Sequence, residues 1–396
     1  MYLCLLIGSS YENAKIRKDT AMEFHIEGDS KRRQRFGSVE KWQKGEPAQF
    51  TGSHDSGKQT CRENLLISPL RHFFFVVKYG QRSVGGVRMK IGFSLPNIGP
   101  IGTVEAITKV AQRAEALGYN SLWTVERLLW PVNLQKPYPG TPDGSLPEIY
   151  KQVLDPLEAL TYVAAQTKKI RLGTSVLDMP YYNPVVLARR LTTLDVLSNG
   201  RLCVGLGLGW NKDEMDATNA DMTKRGAVAD EFLPLLKAIW TKNPVEFHGK
   251  FFNVPKSYIN LKPVQKPHPP IVLGAFVPAA LKRLARLADG WNPVFLPVPV
   301  MSDMFGSIKK MAEEAGRDPS AITMIVHAIL DLKDKPLGKD RAIFSGSLEQ
   351  IGDDVKGCAG VGADEIFFDP AFAPGGQSLD RWLSILEQLQ EMKNVN

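Results

Sequence analysis

From residue 89 onward, short apolar runs and amphipathic stretches take turns, and that regularity limits the fold more than any single motif. Runs over 91–95, 121–125, 170–177, 201–208, 271–273, 291–295, 322–330 and 365–369 have strand length and strand composition. Each precedes a stretch with apolar residues at helical spacing, over 104–117, 156–167, 184–197, 227–240, 278–288, 301–315, 348–360 and 379–392. The punctuation agrees. Pro96 stops the first strand, Gly118 stops the first helix, and Pro184 sits at a first helical turn. Asn199-Gly200 turns the chain into the fourth strand. Alternation of this kind means parallel strands joined by right-handed crossovers. Eight such units in the 308 residues from 89 onward predict an α/β (β/α)8 TIM barrel. A long loop follows the second strand, and an insertion over 245–269 follows the fourth. No GxGxxG lies between a strand and a helix, which argues against an open dinucleotide-binding sheet.

Residues 1–88 break the pattern. They carry 15 basic and 9 acidic residues, most of the chain's net charge of +7, whereas residues 89–396 carry 34 and 33. Lys31-Arg32-Arg33-Gln34-Arg35 offers a basic arm for nucleic acid or membrane as one reading. The preferred reading is a disordered or non-native N-terminal extension, because no period there lasts long enough to build a core. Met89-Lys90, followed at once by a strand, looks like a natural start of the single domain 89–396, and a chain beginning there is expected to fold. The near-neutral remainder leaves no nucleic-acid partner expected. Cys4, Cys61, Cys203 and Cys358 stand far apart without CxxC or CxxH spacing, so neither a zinc site nor a disulfide framework is indicated. Cys203 reads as a buried core thiol. No apolar run reaches the roughly 20 residues of a membrane helix, and a cytoplasmic protein is expected.

In a barrel of this kind the chemistry sits at the C-terminal ends of the strands. A metallohydrolase would show His and carboxylate ligands at several ends. Instead His248 and His268 lie in the insertion and His327 lies within the seventh strand, so no metal site is expected. A retaining glycosidase needs two carboxylates about 5 Å apart, and Glu126 and Asp369 are the one obvious pair. No strand contains the lysine of a Schiff-base enzyme. The ends are small, apolar and glycine-rich with a few hydroxyls, as suits a large planar cofactor that brings its own chemistry. Gly205, Gly207 and Gly209 either admit a flat ring or its phosphate chain, or only relieve crowding. Gly274-Ala275-Phe276-Val277 leads into a helix at Pro278, whose free N–H groups form an anion site.

These segments resemble the luciferase-like monooxygenases, in particular the branch that uses the 5-deazaflavin coenzyme F420. The residues that carry the resemblance are Ala116-Leu117-Gly118-Tyr119-Asn120-Ser121-Leu122-Trp123, Ile170 to Leu177, Leu194 to Leu202, and Gly205-Leu206-Gly207-Leu208-Gly209-Trp210. The stretch 263–270 and Ala288-Asp289-Gly290-Trp291 complete the set, which spans nearly all of 89–396. The resemblance implies a flavin or deazaflavin ring at the barrel mouth, backed by a non-prolyl cis peptide at Ser175–Val176. It implies cofactor binding by Ser94, Thr174, Ser175, Val176, Gly207, Gly209, Trp210, Gly274, Ala275, Phe276 and Val277, with a cofactor phosphate around Gly207, Gly209 and Ala275 to Ala279.

One departure stands out. Many deazaflavin-dependent members carry Asp-His after the second strand, where this chain has Glu126-Arg127. Both are candidate catalytic residues. Glu126 is expected to face the ring or substrate and to orient Arg127. Arg127 cannot act as acid or base, since its pKa exceeds about 12. It is expected to hold an anionic substrate or the ring's delocalised charge, or else to be a solvated loop residue. Trp130, Tyr138, Tyr150, Tyr181 and Tyr182 are candidate wall or lid groups. The resemblance implies F420-dependent hydride transfer with a small organic substrate. Alternatives are an FMN-dependent two-component monooxygenase and a non-catalytic flavin-binding barrel. A separate flavin or deazaflavin reductase and a homodimer are the expected partners.

Overall fold

The computed structural model describes residues 89–390. The readings made for residues 1–88, and for the end of the last helix, lie outside them. The first unit shows why the alternation folds as it does. Strand β1 (Lys90–Ser94) is buried from its second residue onward and runs into helix α1 (Val104–Ala116). Thr103 caps α1 by accepting from the Ala106 N–H. Ile107, Val110, Ala111 and Ala114 form its inward stripe, and Gly118 in the left-handed region ends it. The same logic repeats through β2 (Ser121–Thr124), α2 (Pro156–Gln166), β3 (Arg171–Thr174), β4 (Leu177–Asp178), α3 (Pro184–Leu197) and β5 (Leu202–Gly207). After the insertion come β8 (Ile271–Leu273), α6 (Pro278–Leu287), β9 (Gly290–Trp291) and α7 (Val298–Glu314). The last units are β10 (Thr323–Ile329), α8 (Leu348–Gly360), β13 (Glu365–Asp369) and α9 (Leu379–Leu389).

All strands of the main sheet are parallel, in the order β3-β2-β1-β13-β10-β9-β8-β5-β4, and a β3–β5 pairing closes it. The eight-stranded barrel is therefore as expected, with three local differences. The third predicted strand is split into β3 and β4 by a break at Ser175–Val176. The sixth shrinks to Gly290–Trp291, because Pro293 cannot donate to a ladder; only an isolated bridge from Val294 to His327 continues it. The stretch after the fourth strand holds structure the periodicity did not reveal. Around the expected helix, which is α5 (Arg225–Thr241), it adds a short helix α4 (Lys212–Ala217) and an antiparallel hairpin of β6 (Val245–His248) and β7 (Asn253–Ser257). A further pair, β11 (Asp331–Leu332) and β12 (Ser345–Gly346), lies after β10.

The core has two compartments. The larger fills the space between strands and helices, and the smaller fills the barrel lumen with Trp123, Cys203, Val272, Ile325 and Phe367. Trp123 stacks on Phe367 at 4.8 Å between ring centroids. Full burial of side chains of this size contributes about 1.5–3 kcal/mol each. Cys203 is the buried core thiol expected, and burial pushes it up to about 11. Below this plug, at the starts of β2, β3 and β13, Glu365 accepts from Ser121, from Trp123 Nε1 at 3.3 Å and from Arg171 Nη1 at 3.0 Å. Among the described residues no helix is long and apolar enough to cross a membrane.

Candidate active site

The mouth is shaped by the break between β3 and β4. The Ser175–Val176 peptide is cis, at the position the resemblance implied. The fourth-strand glycines prove to serve this bulge. A Cβ on Gly205 would sit 1.7 Å from the Thr174 carbonyl oxygen. A Cβ on Gly207 would sit 2.6 Å from Val176 Cγ2 and 2.7 Å from Asp178 Oδ1. Gly209 has φ +69° and lies under Met215 and Tyr181. Their missing side chains are filled by neighbouring protein, so crowding relief is the reading the geometry favours for Gly205 and Gly207. Thr174 is equally committed, its hydroxyl bridging the Gly205 carbonyl at 2.8 Å and the Gly205 N–H at 2.9 Å.

Glu126 is buried beside the bulge. Its carboxylate accepts from the Asp178 N–H at 2.7 Å and from the Tyr182 hydroxyl. Burial, and then the nearby Asp178 carboxylate, push its pKa up to about 8. Burial also raises Asp178, to about 6, although Arg127 works against the rise. Glu126 therefore braces the segment after the bulge. The expected contact between Glu126 and Arg127 is not made. Arg127 turns instead to Glu214 on α4, at 2.9 Å, and is not a solvated loop residue. Its guanidinium lies between two rings, 5.3 Å from the centroid of Tyr150 and 5.1 Å from that of Trp210. Glu214 also accepts from the Leu128 N–H at 2.7 Å and the Tyr181 hydroxyl at 2.9 Å. Tyr138 completes the wall, 5.1 Å from Trp210 and within 3.4 Å of the Tyr150 hydroxyl.

A second group lies inside the mouth. Ser175 Oγ is 2.6 Å from Asn292 Oδ1 and 3.3 Å from His327 Nδ1. His327 Nε2 is 3.0 Å from Asp369 Oδ2, and its ring stacks on Phe367 at 4.5 Å. Reading strand ends alone missed Asn292, His327 and Glu214. A strict two-residue period would have turned His327 inward beside Ile325; nothing local marks Glu214. On the other side, a Cβ on Gly274 would lie 3.6 Å from Val176, an ordinary contact, Ala275 is buried, and Phe276 and Val277 are exposed ahead of α6. A small cleft there is lined by Gly207, Leu208, Gly274, Ala275, Ala280 and Arg283.

Four buried side-chain atoms among the described residues lack any hydrogen-bond partner: Ser94 Oγ, Arg127 Nε, Trp210 Nε1 and Asn211 Nδ2. Ser94 ends β1, Arg127 follows β2, and Trp210 and Asn211 follow β5, so all four lie at the strand ends of the mouth. Buried polar atoms are rarely left unpaired, and a bound group or an ordered water is what completes such exceptions. A ring rich in acceptor oxygens and nitrogens, such as a flavin or deazaflavin, fits this donor set.

The fold and mouth define a flavin-type barrel enzyme. The luciferase-like monooxygenase family model matches residues 89–336, and the chain belongs to that family, as an oxidoreductase. An uncharacterized protein of Mycobacterium tuberculosis is 35% identical over 231 residues, covering 56% of this chain and 79% of that protein. The F420-dependent glucose-6-phosphate dehydrogenase of Amycolatopsis mediterranei is 29% identical over 209 residues, covering 51% and 56%. Among solved structures, the monooxygenase RslO1 from Streptomyces bottropensis superimposes with TM-score 0.64 at 21% identity, covering 77% of this chain and 98% of that one. An F420-dependent secondary alcohol dehydrogenase in complex with an F420-acetone adduct gives TM-score 0.62 at 16% identity, with 77% and 98% covered. At these identities the two structures speak to the fold.

Proposed function

We propose that this chain is a coenzyme F420-dependent oxidoreductase that transfers a hydride to or from a small organic substrate at the barrel mouth. The observation that carries the reading is the set of four unpartnered buried polar atoms at the strand ends of the mouth. The F420 dependence of the Amycolatopsis relative supports the choice of cofactor. When bound, the deazaflavin supplies a hydride at C5. Ser94, Ser175, Val176 and Trp210 would hold its ring, and Gly209, Gly274, Ala275, Phe276 and Val277 its phosphate chain. Glu214 neutralises Arg127, so Arg127 presents a directed N–H at Nε rather than a free charge. Glu126 keeps the bulge in place through Asp178 and Tyr182. Tyr138, Tyr150 and Trp210 exclude water from that side. The same reading includes a cytoplasmic homodimer supplied by a separate deazaflavin reductase, which sedimentation and co-purification would check. Titration with coenzyme F420 and with FMN, followed by absorbance and fluorescence, tests the cofactor. Tight binding of reduced FMN with oxygen consumption, and none of F420, would overturn the proposal in favour of a two-component monooxygenase.

A further inference from the structure

Donor and acceptor accounting fixes where the hydrogens lie in the Ser175 group. Asn292 Nδ2 donates to the Ile325 carbonyl at 2.7 Å, so the amide cannot be flipped and Oδ1 faces Ser175. Ser175 must then donate its hydroxyl hydrogen to Asn292 at 2.6 Å. Toward His327 Nδ1 the Ser175 oxygen can only accept, so Nδ1 carries a hydrogen. The other ring nitrogen faces the Asp369 carboxylate at 3.0 Å, and Asp369 Oδ1 accepts from the Ala371 N–H. Every contact is satisfied when Nδ1 points its hydrogen at Ser175 and one proton is shared between Nε2 and Asp369. The order of groups suggests a serine nucleophile, but the hydrogens run the wrong way: His327 donates to Ser175 and does not withdraw its proton. Both His327 and Asp369 are buried, whereas Ser175 is half-buried at the bulge.

We propose that Ser175 delivers a proton to the substrate and that His327 and Asp369, buried behind it, are the positioning residues that resupply it. The proposal rests on the F420 reading above and narrows the substrate to a carbonyl compound reduced to an alcohol. A carbonyl carbon that gains a hydride from the reduced coenzyme leaves its oxygen needing one proton. The Ser175 hydroxyl turns from Asn292 to that oxygen and gives up its hydrogen. Ser175 Oγ takes the Nδ1 hydrogen of His327, leaving a neutral imidazole still donating to Asp369. One proton from solvent restores the pair. Arg127 cannot do this work, because a guanidinium does not release its proton near neutral pH.

The test uses the full-length protein labelled with 15N-histidine, with the His327 signals assigned by loss in His327→Gln. Nδ1 of His327 is expected to carry a hydrogen, read from its one-bond 15N–1H coupling. Ser175→Ala, which only removes a hydroxyl, should move the Nδ1 signal and leave the fold intact. A neutral His327 with a bare Nδ1 would overturn the proposal without reference to any cofactor. With coenzyme F420 bound, reduced-coenzyme oxidation by a panel of ketones and aldehydes should slow at least tenfold in Ser175→Ala. Rates are compared at saturating coenzyme, and the wild-type rate should fall in D2O. Unchanged variant rates with retained binding would overturn the relay alone; failure of the wild type to bind F420 would overturn the functional reading.

Discussion

Two buried arginine–glutamate pairs sit at opposite ends of the barrel, and they differ in what is left over. At the bottom, Glu365 receives Arg171, Ser121 and Trp123, and each of these polar groups has a partner. At the mouth, Glu214 receives Arg127, Tyr181 and the Leu128 N–H, yet Arg127 Nε and the neighbouring Trp210 Nε1 have none. The bottom pair is closed on itself. The mouth pair orients one arginine and leaves donors over. A closed network stabilises the fold, and an open one is built for a ligand at some cost to the free protein.

The sharpest way to break the comparison is at the bottom. Glu365→Ala strands Arg171 and the Ser121 hydroxyl hydrogen, while the Trp123 indole keeps its 2.7 Å bond to Ser121 Oγ. Breaking a buried pair from one side costs about 3–5 kcal/mol, toward the low end here because Arg171 reaches water. Chemical denaturation should show that loss. Coenzyme affinity of the molecules that remain folded should stay within twofold. An affinity loss larger than the stability loss would mean that the bottom network also serves the site.

How much of this could be read beforehand follows from distance along the chain. The barrel was legible because each strand and helix carries its own period and caps, as Thr103 and Gly118 do for α1. The bulge position was legible through the resemblance carried by Ile170 to Leu177. The partners at the mouth were not. Arg127 and Glu214 are separated by 87 residues, and Ser175 and His327 by 152. Residue type names a possible donor, but only the closed sheet decides which acceptor it meets. Glu126 and Arg127 were paired in sequence because they are neighbours, and successive residues leaving a strand point to opposite sides.

Glu126 sharpens the comparison from the other direction, since it is buried at the mouth without a cation. Its folded pKa of about 8 lies above the ordinary 4.5, so the folded state holds a proton that the unfolded state has released. Its contribution is fully present below about pH 4.5 and is lost as pH rises toward 8. Asp178, raised to about 6, acts in the same sense between its ordinary 3.8 and 6. Glu126→Gln keeps one acceptor for the Asp178 N–H and an amide against Tyr182, and it cannot ionise. Relative to the variant, the wild type should lose on the order of 3–4 kcal/mol between pH 5 and 8. Parallel pH dependences of the two melting curves would show that Glu126 is ionised in the folded protein.

Arg127→Lys keeps the charge opposite Glu214 but removes both the planar stacking between Tyr150 and Trp210 and the spare Nε hydrogen. Stability should fall by about 1 kcal/mol, the scale of a partly desolvated cation–π contact. Coenzyme or substrate binding should weaken roughly tenfold, about 1.4 kcal/mol. Unchanged binding in equilibrium titration would reduce Arg127 to a structural partner of Glu214, like Arg171 at the bottom.

The smallest effect is expected at Ser94, and it separates the two ends most cleanly. Its hydroxyl is buried and makes no hydrogen bond. An unpaired buried hydroxyl is a liability to the free protein, and Ala at this position removes the liability without opening a void of any size. Ser94→Ala should therefore leave the thermal midpoint unchanged or raise it slightly. If the bound ring supplies the missing partner, the variant loses one hydrogen bond worth about 0.5–1.5 kcal/mol, or roughly two- to tenfold in affinity. Stability and binding then move in opposite directions, which no substitution in the saturated network around Glu365 should produce. A lower midpoint with unchanged coenzyme affinity would mean that Ser94 is satisfied within the protein, and that the mouth is no more open than the bottom.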